Sequence, residues 1–145
     1  MNHERYRDDT ADIAIRNVMR KKKHTFTIMG RLPGLNDYIA AERKHRQAAA
    51  KMKREHQNFV TWEIKGQMRH MKIDKPVFIS YHWVEKNQKR DKDNVSSFGR
   101  KVIQDALVEA GVLQNDGWKW IEGFKDTFAV DRNNPRIEVT IREDV

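Results

Sequence analysis

The sequence predicts an α/β fold of the α+β type, in which helices pack on a small mixed β-sheet. Its hydrophobic pattern switches between strand and helix periods in the order β-α-β-α-β-β. A chain of 145 residues is long enough to fold around one core, burying about 70% of its unfolded surface. It contains no cysteine, which excludes disulfides, thiolate metal sites and a cysteine nucleophile.

The first 23 residues are predicted to be a basic N-terminal extension, helical or disordered, ahead of a folded domain over residues 24–145. Thr10 is a candidate cap for a short helix over residues 11–19, where apolar residues recur at helical spacing. A run of four cations then interrupts the apolar pattern. The extension is therefore either a partner-binding or DNA-binding arm or a poorly ordered terminal helix.

The domain opens with a short strand at residues 26–29, which ends at the turn residue Gly30. Residues 35–47 are polar and fit either an open loop or the frayed start of a helix. From Ala48 to near Gly66, apolar residues recur on one side of a helix. The first half of the domain is therefore predicted to be one strand followed by one long helix.

The second half begins with residues 76–85, whose almost continuous apolar run predicts a central strand. An amphipathic helix follows and ends before Gly111, which is the expected residue after the helix C-cap. Two strands, at residues 120–130 and 136–142, are separated by a turn rich in Asp and Asn. The last strand alternates apolar and polar residues, so one of its faces should be wet.

The charge distribution favours a polyanionic partner. The 29 basic residues outnumber the 21 acidic ones, giving a net charge of +8. Residues 1–101 carry 24 basic and 12 acidic residues, or +12, whereas residues 102–145 carry 5 and 9, or −4. The basic part suits nucleic acid, and the alternative is a solvated surface that keeps a small protein soluble.

No membrane partner or export signal is expected. No segment approaches the roughly 18 consecutive apolar residues of a membrane span. The first 30 residues are too polar for a secretory signal. The sequence therefore predicts a cytoplasmic protein.

The strongest chemical motif is the run from Arg90 to Asn94, between the central strand and the following helix. In an extended chain, Asp91 and Asp93 point to the same side. A hard divalent cation is the usual partner that keeps two such carboxylates ionised together. Asp93 or Asn94 would also cap the helix, whose positive end suits a phosphate. The alternative is ordinary capping and turn chemistry.

Two residues further along extend this motif. Asp116, in the connection after the helix, supplies a third carboxylate if that connection folds back toward the sheet. Lys101 lies on nearly the same side of the helix as Asn94, where it can point toward a phosphate. The alternative for Lys101 is an exposed pair with Asp105 one turn later.

The ordered set of motifs resembles the RusA-type crossover junction endodeoxyribonucleases of phages and prophages. The resemblance rests on residues 90–94, 101–107 and 111–116, together with the opening strand and loop at residues 26–38. It covers residues 25–143. It implies a homodimer that uses Mg²⁺, or alternatively Mn²⁺, to hydrolyse phosphodiester bonds in four-way (Holliday) DNA junctions.

The resemblance also implies roles for individual residues. Asp91, Asp93 and Asp116 correspond to the metal-binding acids, and Lys101 corresponds to the catalytic lysine. The chain has about one extra helical turn between Asn94 and Lys101, and without it the lysine position falls on Ser97. The residues expected to contact DNA are Lys89, Arg90, Asn94, Arg31, Asn36, Arg43, Lys44 and Arg46.

Two other functions remain open at the level of sequence. The same basic surface can belong to a non-catalytic protein that binds branched or duplex DNA, with the acids serving as helix caps. A metal-dependent nuclease with a preference for flaps or forks is the other alternative. Metal-dependent cleavage distinguishes the junction endonuclease from the non-catalytic DNA-binding protein. Substrate preference distinguishes it from the flap or fork nuclease.

Overall fold

A computed structural model describes residues 23–143; residues 1–22 and 144–145 lie outside the description. The elements follow in the order β1 (Lys23–Met29), α1 (Leu35–Lys44), α2 (Arg46–Gln67), β2 (Val77–Glu85), α3 (Lys92–Glu109), β3 (Ile121–Val130) and β4 (Arg136–Glu143). The helix predicted over residues 11–19 lies outside the described residues, as does most of the predicted extension.

The four strands form one mixed sheet in the order β1-β4-β2-β3. β4 pairs antiparallel with both β1 and β2, whereas β2 and β3 pair parallel. The predicted α+β class and the central position of the second strand are confirmed. Because parallel neighbours need a crossover connection, α3 runs back along the sheet between the end of β2 and the start of β3.

The helices cover one face of the sheet and form the core with it. β4 alternates as predicted, with Ile137, Val139 and Ile141 buried between more exposed polar residues. The face of α3 that carries Val102 and Ile103 is fully buried against them. At roughly 25 cal/mol per Å² of buried apolar surface, this shared core is the main stabilising contribution.

Residues 35–47 form regular helical structure. The sequence alone is compatible with either an open loop or the frayed start of a helix. α1 ends at Lys44, and His45 interrupts the helical path with an extended conformation, φ −165° and ψ 125°. Its Nδ1 accepts a hydrogen bond from the backbone N–H of Gln47 at 3.3 Å, so it also caps α2. The polar stretch is thus two helices joined at one residue.

The far end of α2 is fastened to the outer edge of the sheet. Gln67 accepts from the backbone N–H of Thr27 at 2.9 Å and donates to the carbonyl of the same residue at 2.7 Å. The side-chain amide therefore occupies one position at which another strand would pair with β1.

The end of α3 follows the sequence pattern. Gly111 has φ +80°, directly after the C-cap Ala110, which confirms its predicted place beyond the helix.

None of the helices in residues 23–143 has the length and apolar character that a membrane crossing requires.

Candidate active site

The N-terminus of α3 lies at the edge of the sheet where the parallel strands β2 and β3 end. Ligands of α/β folds commonly bind at this edge. Asp91 is the N-cap residue, since the first helical hydrogen bond runs from the N–H of Val95 to its carbonyl at 2.9 Å. Its side chain makes no capping hydrogen bond and is exposed. Within residues 23–143, the first-turn N–H groups therefore lack a cap from the Asp91 side chain and can donate hydrogen bonds to an anion.

Two expectations about this motif are wrong. Neither Asp93 nor Asn94 caps the helix, because helical conformation already begins at Lys92. For the same reason the chain is not extended through Asp93, which lies in the first helical turn. Both carboxylates are nevertheless exposed beside the start of α3.

Ser97 lies one turn after Asp93 and contacts it. Its Oγ donates to Oδ1 of Asp93 at 2.8 Å and is also 2.7 Å from the carbonyl oxygen of that residue. The position that the ungapped register assigns to the lysine is therefore occupied by a hydroxyl that orients this carboxylate.

Asn94 joins the starts of two helices. Its Oδ1 accepts a hydrogen bond from the backbone N–H of Asn36, in the first turn of α1, at 2.8 Å. A Cβ on Gly34 would lie 2.6 Å from the same oxygen, so any larger residue there would displace the Asn94 side chain from this hydrogen bond. The starts of α1 and α3 are thus held side by side. The carboxylate of Asp37 already caps α1 by accepting from the N–H of Gly34 at 2.8 Å, so the start of α3 is the positive end that favours a negatively charged ligand.

Arg90 fastens the exit of β2 to the loop after β1. Its Nε and Nη2 donate to the two carboxylate oxygens of Glu85 at 2.8 and 2.9 Å, and its Nη1 donates to the carbonyl of Leu32 at 3.1 Å. Nη1 of Arg31 lies 3.5 Å from Glu85. These bonds leave about two of the five guanidinium N–H groups of Arg90 for a ligand.

Glu85 is a functional neighbour that the sequence analysis missed. It is 8% exposed and sits at the end of an apolar strand. An acid in that position is unusual unless it is paired. The acid at the end of an apolar strand was therefore the available signal. Its partners could not be identified from the sequence, because Arg31 reaches Glu85 only through folding and Arg90 only through the turn after β2.

A surface cavity of about 680 Å³ adjoins the start of α3. Asp91, Arg90 and Lys92 line one side, and Phe128 and Val130 of β3 line the other. Nζ of Lys92 lies 5.6 Å from the centre of the Phe128 ring, a distance at which a cation and an aromatic face attract. The cavity therefore presents the Asp91 carboxylate together with the cations of Arg90 and Lys92.

A second charged cluster lies at the middle of α3. Nζ of Lys101 is 3.0 Å from Oδ1 of Asp105 and 3.0 Å from Oδ2 of Asp116. Nζ of Lys53 on α2 is 2.9 Å from Asp105. The expected pair between Lys101 and Asp105 is present, and the connection after α3 also brings Asp116 to this lysine.

These contacts shift the pKa values of the cluster. Hydrogen bonds that Lys101 donates to Asp116 and then to Asp105 raise the pKa of Lys101, so the lysine is held in its charged form. Burial works to raise the pKa of Asp105, but hydrogen bonds from Lys53 and Lys101 outweigh it and the pKa lies below its ordinary value. Both groups are therefore charged near neutral pH.

The two clusters are separated along α3. Lys101 follows Lys92 by a distance of about 14 Å along the helix axis, at 1.5 Å per residue. Within residues 23–143, no three His, Asp or Glu side chains are grouped closely enough to hold a metal ion. The described part of the chain therefore brings Asp116 to Lys101 but does not group it with Asp91 and Asp93 into a site of three carboxylates.

The residues at the start of α3 still fit Mg²⁺. This ion takes oxygen ligands and is commonly held by one or two carboxylates, with water and substrate phosphates completing its shell. Asp91 is free of any capping bond, and Asp93 is bonded only on Oδ1 among its carboxylate oxygens in the described residues. Their oxygens are thus available to a hard cation.

The other predicted DNA contacts lie either beside the start of α3 or at the junction of α1 and α2. Lys89 is exposed in the loop before the motif, and Asn36 is exposed at the start of α1. Arg43 and Lys44 are exposed in the last turn of α1, and Arg46 is exposed at the start of α2. The structure brings Asn36 to Asn94 but places the three basic residues around the α1–α2 junction.

The chain is an α+β protein whose crossover helix starts beside carboxylates and cations, groups that can bind a divalent cation or a phosphate. A protein-family model described as endodeoxyribonuclease RusA matches residues 32–142. The chain therefore belongs to the RusA family, whose members are junction-resolving DNA endonucleases. Its match includes Asp91, Asp93, Lys101 and Asp116. No curated protein matches the sequence.

Proposed function

We propose that this protein is a metal-dependent endonuclease that resolves four-way (Holliday) DNA junctions by hydrolysing phosphodiester bonds. The observation that carries the proposal is the pair of exposed carboxylates, Asp91 and Asp93, at the open N-terminus of α3 in a member of the RusA family. The proposal places the protein in the cytoplasm of a bacterial or phage-infected cell, where such DNA occurs.

Asp91 and Asp93 would hold the Mg²⁺, or alternatively Mn²⁺. When bound there, the ion would lower the pKa of a water ligand and stabilise charge on the leaving oxygen. The first-turn N–H groups of α3 bind the scissile phosphate, with Lys92 as a nearby cation. Ser97 orients the Asp93 carboxylate through the 2.8 Å hydrogen bond.

Asp116 and Lys101 act as a unit because their 3.0 Å ion pair keeps them together. The length of α3 keeps this unit from the acids of the same chain. We therefore propose that the active form is a homodimer in which Asp116 and Lys101 of one copy complete the site at Asp91 and Asp93 of the other. Lys101 then offsets the charge that builds up on the phosphate in the transition state.

The DNA arms follow the basic surface around this site. Lys89, Arg43, Lys44 and Arg46 offer exposed cations to phosphates, whereas Arg31, Arg90 and Asn94 mainly position the loops. Asn36 lies between these two groups at the start of α1. Such backbone contacts hold a branched duplex with little dependence on its sequence.

The test is incubation of the protein with a synthetic four-way junction and with a linear duplex of the same sequence, with and without Mg²⁺. We expect paired nicks in the junction only when the metal is present. Junction binding without cleavage would favour the non-catalytic DNA-binding alternative. Faster cleavage of a flap or fork than of the junction would assign the enzyme to another branched substrate.

A further inference from the structure

A second group of cations lies at the connection between α2 and β2, between the two sets of predicted DNA contacts in the sequence. Lys65, Arg69 and Lys72 are exposed and line a shallow cavity of about 300 Å³. We call these three residues the basic patch. Asp74 is the only acid in residues 65–75.

The cations of the basic patch form no ion pair with any other described residue. Among residues 23–143, no carboxylate lies within 4.0 Å of their charged nitrogens. Most cations at the start of α3 and around Lys101, by contrast, form ion pairs, as Arg90 does with Glu85 and Lys101 does with Asp116. The patch therefore carries its positive charge unneutralised within the described structure.

The two helix ends beside the cavity do not cancel this charge. α2 and α3 both end here, and each C-terminus carries about half a negative charge, or roughly −1 in total. The three cations of the patch carry a formal +3. Compensation of the helix dipoles therefore accounts for only part of the charge, and a net positive surface of roughly +2 remains.

The connection is held in a defined shape. His70 has φ 56°, a left-handed conformation that costs energy for a residue other than glycine. Ile73 is buried, and its N–H donates to the carbonyl of Val112 at 2.8 Å. Ile73 also bridges to Leu113 in parallel. The patch is thus fixed to the segment that leads directly into Asp116.

We propose that the basic patch binds the phosphate backbone of a duplex arm of the junction, on the side of the molecule where Asp116 and Lys101 lie. This inference rests on the proposed function and adds a second DNA-contact surface to it. The cations are exposed and spread along the surface, with no buried polar side chain among them. That arrangement suits an extended polyanion, which gains affinity from several solvent-exposed contacts.

The first test measures junction binding without divalent metal over a range of salt concentrations. For a variant carrying Arg69→Ala and Lys72→Ala, we expect the slope of log K on log[salt] to become shallower by about 0.9 per lost phosphate contact, or roughly 1.8 in total. Lys125→Ala, on exposed β3, is the matched control and should keep the wild-type slope. An unchanged slope in the double variant, or an equal change per charge in the control, would overturn the inference.

The second test uses the absence of cysteine in the chain. Lys72→Cys creates a unique attachment point for an azide photo-crosslinker, and Lys125→Cys provides the control. We expect a crosslink from residue 72 to one duplex arm of a bound junction. No DNA crosslink from residue 72, or a crosslink only to a second protein copy, would contradict the inference.

The two proposals fail in different ways. If the wild-type protein cleaves the junction with Mg²⁺ while the double variant keeps the wild-type salt slope, the basic patch is not a DNA surface and the enzyme assignment stands. If the wild-type protein neither binds nor cleaves the junction, the proposed function fails and the inference fails with it. Because both side chains are exposed, the double variant should retain the wild-type thermal midpoint.

Discussion

Asp91 and Asp93 form the part of the proposed site that one chain assembles alone. Asp91→Asn and Asp93→Asn, and likewise Asp116→Asn, should abolish metal-dependent cleavage while junction binding stays intact or tightens. Each change removes a negative charge at nearly constant shape, which weakens metal binding but not phosphate attraction. Single-turnover cleavage and equilibrium binding measure the two effects.

An exposed acid outside the site provides the control for these variants. Glu122→Gln on β3 removes the same charge and should leave cleavage unchanged. Full activity in one of the aspartate variants would remove that residue from the site. Full activity in all three would contradict the assignment as an enzyme.

Lys101 and Ser97 are the two residues that compete for the lysine position. Lys101→Ala should slow single-turnover cleavage at saturating protein by about 30- to 1000-fold, the scale for loss of one transition-state donor. Its side chain is 56% exposed, so the lost ion pairs should cost at most about 1 kcal/mol of stability. A normal rate in Lys101→Ala together with a collapsed rate in Ser97→Ala would assign the role to the earlier turn.

At the scale of elements, the contact between the starts of α1 and α3 depends on Gly34. An added Cβ would lie 2.6 Å from Oδ1 of Asn94 and would displace the hydrogen bond to Asn36. Gly34→Ala should therefore destabilise the fold by about 1 to 3 kcal/mol, as overpacking does, and should slow cleavage. Urea unfolding and single-turnover assays measure these effects.

Gly66 is the matched control for this substitution. It lies in α2, and an added Cβ meets nothing within 4 Å. Gly66→Ala should stabilise the protein by about 0.5 to 1 kcal/mol, because alanine loses less backbone entropy in a helix. If both substitutions stabilise the protein, the close approach at Gly34 does not constrain the fold.

The attachment of α2 to α3 should depend on pH through Asp105. Its pKa lies below the ordinary 3.8 in the folded chain, so the ion pairs stabilise the fold above that pH and are lost as the pH falls through the folded value. Asp105→Asn should cost about 1 kcal/mol at pH 7, and this difference should shrink below about pH 4. Urea unfolding of both proteins from pH 7 to pH 3 tests this, and a constant difference would contradict it.

At the scale of the whole molecule, the separation of the two clusters predicts complementation between copies. A chain with Asp91→Asn and Asp93→Asn, co-expressed with a chain with Asp116→Asn, forms mixed dimers in which one shared site is intact. At equal expression, random pairing should leave about a quarter of all sites intact in the unfractionated mixture, and about half of the sites in the purified mixed dimers. The measurement is nicking of single junction strands by mixed dimers purified through two different tags.

Mixed dimers of an Asp91→Asn chain and an Asp93→Asn chain provide the control. Both acids belong to the same element, so neither pairing yields an intact site and no activity should return. If the first mixture also stays inactive, Asp116 does not act on the acids of the other copy. The separation of the two clusters would then no longer support a homodimer with shared sites.

Much of the fold was predictable because local sequence periodicity determines local structure. The apolar run at residues 76–85 and the alternation of Ile137, Val139 and Ile141 indicated a buried central strand and a strand with one wet face. Gly111 marked the end of α3 through its tolerance of positive φ. Residues 35–47 were ambiguous, because α1 has no fully buried residue and the break at His45 leaves no clear pattern.

The sequence by itself determined which chemical groups this protein has: paired acids before a helix, a lysine within it, an acid after it and a strong positive charge. Only the tertiary structure decided how those groups are distributed. Arg90 and Asn94 are occupied by partners at Glu85, Leu32 and Asn36, most of which are distant in the sequence. Asp116 lies with Lys101 and away from Asp91, because α3 must span the sheet to connect two parallel strands. That separation is a consequence of topology, which no local spacing of residues encodes.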